Sequence, residues 1–106
     1  MAIAADVSKW VGEILLEDMP GHVAVDIVEV SVARIDTGSR DFAMGTFSWH
    51  ITLRHIYGET FHTIVPQSGV QLLGKDAVRA SVVRLFSLIA QYLRERDNKR
   101  RLLTNP

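Results

Sequence analysis

The chain has 106 residues, enough for one hydrophobic core and too few for two. Apolar residues make up 47% of it, twelve basic residues balance twelve acidic ones, and there is no cysteine. These figures exclude a disulfide scaffold, a thiolate metal site, a cysteine nucleophile and a surface given over wholly to polyanions.

The first periodic stretch is helical. Ile3, Val7, Trp10, Val11, Ile14 and Leu15 recur at three-and-four spacing, with Asp6, Lys9, Glu13 and Glu17 largely on the other side. The helix must end by Asp18, because Pro20 disfavours helical backbone at Met19 and Gly21 invites a turn. Trp10 reads as a core anchor.

Residues 22–35 alternate like a strand, but the phase changes midway. Val23, Val25 and Ile27 share one side, whereas Val28, Val30 and Val32 share the other. A bulge near Ile27 and Val28 would re-aim the strand so that both sets reach apolar surroundings; the alternative is a strand covered on both faces, as when a partner packs on the outer side. A polar turn cluster follows over residues 36–41, and its Asp36-Thr37-Gly38 lacks the second loop that an aspartic-protease dyad needs.

A second strand is expected from near Phe42. Phe47, Trp49, Ile51 and Leu53 point one way; Thr46, Ser48, His50, Thr52 and Arg54 point the other. Ile56, Tyr57 and Gly58 suit a three-residue hairpin loop with glycine in the left-handed third position. That loop pairs Leu53 with Phe61 and Trp49 with Val65, so the turn chemistry agrees with the packing. The third strand, residues 59–65, is expected to stop at Pro66, which cannot donate to a ladder.

The longest helical pattern covers residues 70–96, with Leu73, Ala77, Val78, Val82, Leu85, Phe86, Ile89, Tyr92 and Leu93 along one face. Ser68 and Gln71 have capping-box spacing; a start near Lys75, after Gly74, is the alternative. Asp97 and Asn98 are plausible stop residues, which leaves a basic tail from about residue 98. Val83, Leu88 and Ala90 widen the apolar stripe of this helix beyond what one sheet face needs.

The expected architecture is α+β: a single two-layer α-β-β-β-α domain over residues 1–106. A three-stranded antiparallel meander carries both helices on one face. Double-stranded RNA-binding domains have a similar element order. That family sets several lysines at the start of its last helix to reach phosphates, whereas here Lys75 stands beside Asp76.

Charge is uneven along the chain. Residues 1–33 hold Asp6, Glu13, Glu17, Asp18, Asp26 and Glu29 against Lys9, a net of −5, so the remainder is +5. Much of that lies in Arg94, Arg96, Lys99, Arg100 and Arg101, a basic end able to attract phosphates or the acidic part of a second subunit. No apolar run is long enough to span a bilayer, and the first residues lack an export pattern. A cytoplasmic protein without membrane contact is the expectation.

No GxSxG, phosphate-cradling glycine loop or HExxH is present. The chemistry-bearing residues instead collect on the sheet face away from the helices, where His50, Thr52, Arg54 and His62 come together and Glu29 is expected near Ser48 and His50. This group suits anion binding through Arg54 and the histidines, or acid-base work with His50 oriented by Glu29. It also has the donor types for a metal in His50, His62 and Glu29, without the local spacing that would assign one. No cofactor or metal is therefore expected.

Three functions follow. The first is a non-catalytic binding or assembly module, homodimeric, associating through the open sheet face or the wide helix stripe. The second is nucleic-acid binding through Lys75, Arg79 and the basic end. The third is a small enzyme or anion/metal site on His50, His62, Arg54 and Glu29.

Overall fold

The computed structural model describes residues 4–34, 46–68 and 73–104. The order is α1 (Ala4–Asp18), β1 (Val25–Arg34), β2 (Thr46–His55), β3 (Thr60–Ser68) and α2 (Lys75–Thr104). The strands form one antiparallel sheet in the order β1-β2-β3. The expected meander between two helices is therefore the observed fold. The polar cluster with its Asp-Thr-Gly triplet, and the strand start at Phe42, lie outside the described residues.

Side-chain period sets the layers. Trp49, Ile51 and Leu53 are fully buried beneath the helices, with Val7, Val11 and Ile14 of α1 and Val78, Val82, Leu85, Phe86 and Ile89 of α2 completing the core. The hairpin forms as its loop chemistry dictates. His55 N–H donates to the Glu59 carbonyl (2.8 Å), Gly58 N–H donates to the His55 carbonyl (2.8 Å), and Gly58 has φ 96°. Glycine meets no steric cost there. The resulting register pairs Leu53 with Phe61, Trp49 with Val65 and Thr52 with His62.

The phase change in β1 is a bulge. Pairing slips between Ile27 and Glu29, leaving Val28 as the extra residue. Val25 and Ile27 before it, and Val30 and Val32 after it, all pair with core-facing residues of β2. Val25 is buried and Val30 packs against the core, whereas Ile27, Val28 and Val32 keep more than a third of their surface exposed.

Two boundaries differ from expectation, and the start of α2 follows the alternative reading. β3 runs on through Pro66, which pairs with Ser48, because an edge strand loses only a solvent-facing donor to proline. Ser68 consequently belongs to the strand rather than to a capping box; its partner Gln71 lies outside the described residues. α2 begins at Lys75, where Val78 N–H reaches the Gly74 carbonyl. At its far end α2 continues past Asp97 and Asn98 to Thr104, so the segment expected as a tail is helix. Asp and Asn cost a helix interior only about 0.7 kcal/mol each, and good helix formers flank them.

Candidate functional site

The orientation of β2 decides what the open sheet face presents. Inside, Trp49 Nε1–H donates to Gln67 Oε1 at 2.7 Å, both residues buried. This bond ties the indole to the core layer, and strict alternation turns His50 to the opposite side. The outer face then consists of cross-strand rows: Asp26, Arg54 and Thr60; Glu29, Thr52 and His62; Ser31, His50 and Ile64; Ala33, Ser48 and Pro66.

His50 and His62 meet on this face. Their rings stack with centroids 5.2 Å apart and planes 19° apart, and His50 Nδ1 lies 3.1 Å from His62 Nε2. One ring donates and the other accepts. Thr52 stands directly between His62 and Glu29. Glu29 is not beside Ser48 and His50 as expected: the bulge sets it across from Thr52, and Ser31 takes the place opposite His50. The Ser31 hydroxyl donates back to Glu29 Oε1 at 2.7 Å. Arg54 sits one row further on, between Asp26 and Thr60, and makes no ion pair among the described residues.

The arrangement is a flat polar surface with a histidine pair near its centre. Among the described residues no trio of His, Asp or Glu is placed to hold a metal ion, so the metal reading of His50, His62 and Glu29 has no geometry behind it. Two concave regions lie instead against α2, and none of the sheet-face residues lines either one.

Lys75 and Arg79 are occupied. Lys75 Nζ contacts Glu13 Oε2 at 2.5 Å and Glu17 Oε1 at 3.4 Å, while Arg79 contacts Glu17 Oε2 at 2.9 Å and the Asp18 carboxylate. The hydrogen bond donated by Arg79 holds the Glu17 carboxyl below its usual range, and the one Lys75 donates to the Glu13 carboxylate raises Lys75. Glu13 and Glu17, which the sequence places opposite the apolar stripe of α1, clasp the two helices together.

No family model, curated protein or solved structure matches this chain. Among the described residues no helix is long and apolar enough to cross a membrane.

Two features escaped sequence reasoning. Gln67 was hidden because Pro66 reads as the end of its strand. The second is a cleft of about 370 Å³ at the hairpin end, lined by parts of the α1–β1 turn, the hairpin loop and the later turns of α2. Its signal was present: Ile89, Leu93, Arg96 and Arg100 keep helical spacing, so a helix carried past Asp97 turns both arginines toward the hairpin.

Proposed function

We propose that this protein is a non-catalytic binding module that forms a homodimer by packing the open faces of two sheets together. The observation that carries this reading is Ile64, 47% exposed beside the His50–His62 pair on a face that no described element covers. That face is graded along its length. Ala33, Ile64 and Pro66 make one end apolar, whereas Asp26, Glu29 and Arg54 make the other charged. A two-fold axis near the apolar end would bury it and leave the charged rows at the rim, as association surfaces commonly do.

The helix stripe supports association less well. Val83 and Leu88 are both exposed, but five residues separate them, about 140° around a helix, so they form no continuous strip. Ala90 packs against the core. Nucleic-acid binding loses Lys75 and Arg79 to the acids of α1. Catalysis on the sheet face would require a concavity, and neither cleft described above is lined by His50, His62, Arg54 or Glu29.

Size sets the strength. Three strands about 4.8 Å apart and about 30 Å long present roughly 400 Å² of flat face, half of the ~800 Å² per partner in a standard interface. Association is therefore weak and concentration-dependent. In sedimentation velocity across a dilution series, the chain shifts from monomer toward dimer mass as concentration rises. Ile64→Arg abolishes the shift while leaving the far-ultraviolet dichroism unchanged, and Leu88→Arg preserves it. A strict monomer at every concentration, or a dimer that survives Ile64→Arg, overturns the proposal.

A further inference from the structure

The cleft at the hairpin end is separate from the sheet face and is built from three segments of chain. Leu93 and Ile56 give its lining an apolar part, and Arg94, Arg96 and Arg100 give it a cationic one. Arg96 is held over the Tyr57 ring with its guanidinium carbon 4.0 Å from the ring centre, an arrangement that places a cation without consuming all of its donors.

His55 supplies the second observation. Its side chain is 3% exposed and lines the same cleft. The backbone N–H of Tyr57 donates to His55 Nδ1 at 3.2 Å, so Nδ1 is an acceptor and the ring proton sits on Nε2. Nε2 has no hydrogen-bond partner among the described residues. A buried donor without an acceptor is costly, so an acceptor belonging to a ligand is the natural complement. Asp97 is the one acid among the residues lining this cleft, set against several cationic side chains.

From this we infer that the cleft binds a small organic phosphate. Its phosphate oxygens accept from Arg94 and Arg96, a further polar atom accepts from His55 Nε2–H, and its apolar body rests on Leu93 and Ile56. Guanidinium groups match phosphate oxygens in geometry and charge, and the apolar part of the lining selects an organic ester over the bare ion.

The probe is phenyl phosphate, titrated calorimetrically into the intact chain, with inorganic phosphate in parallel. Phenyl phosphate binds, and binds more tightly than inorganic phosphate. Arg94→Ala and Arg96→Ala each weaken it about tenfold. Arg84→Ala, elsewhere on the same helix, leaves affinity unchanged. In nitrogen NMR spectra the His55 ring signals move on binding, while those of His50 and His62 stay. No binding, equal affinity for the two phosphates, or a loss with Arg84→Ala as large as with Arg94→Ala overturns the inference.

Discussion

A single hydrogen bond, Trp49 Nε1–H to Gln67 Oε1, reinforces the choice of sheet face made by the apolar alternation of β2. Replacing Gln67 by leucine keeps the volume and removes the acceptor, leaving the indole N–H buried without a partner. The cost is about 1–3 kcal/mol. Urea unfolding reads it as a lower midpoint with an unchanged slope, whereas Thr52→Val on the outer face stays within about 0.5 kcal/mol. The side of the sheet on which Trp49 lies was legible, because Phe47, Trp49, Ile51 and Leu53 leave no other phase. Its partner was not legible, since proline's missing donor argues against strand without saying whether the strand is an edge. The histidine pair was legible as neighbours through the Gly58 turn. The displacement of Glu29 was not, because a bulge can be located from valine phase more readily than its effect on polar register.

Between elements, α1 and α2 are joined by core packing and by the Glu13, Glu17 and Asp18 clasp on Lys75 and Arg79. Glu17 is lowered chiefly by the Arg79 hydrogen bond, so its contribution to stability is full above the ordinary carboxyl value of 4.5 and is lost as pH falls through the depressed one. Lys75 is raised chiefly by Glu13, so its contribution is full below 10.5 and is lost as pH rises beyond that. Thermal melts are therefore expected to fall off in acid below 4.5 and again in alkali above 10.5. Added salt should lower the plateau slightly, because these groups are solvent-screened. A melting temperature indifferent to pH across the acid limb contradicts the clasp. Sequence showed an acidic first third and a basic remainder but not which charges meet, since that depends on how two helices cross. The end of α2 was misplaced for a related reason: Asp and Asn are weak stops, and neither glycine nor proline follows them until Pro106.

At the scale of the molecule, three strands with both helices on one side leave the other side without a cover among the described residues. Helix spacing, strand alternation and one well-defined turn were enough to read this topology from the chain, because each neighbour in sequence is a neighbour in the sheet. What meets the open face lies outside the chain's own pattern and rests on the proposed dimer. Histidine modification by diethyl pyrocarbonate, mapped by mass spectrometry across a dilution series, tests it most directly. His50 and His62 should react in dilute protein and become protected as concentration rises, with His22 reactive and the buried His55 shielded throughout. Reactivity of His50 and His62 that is the same at every concentration, or a reactive His55 beside a shielded His50, would contradict it.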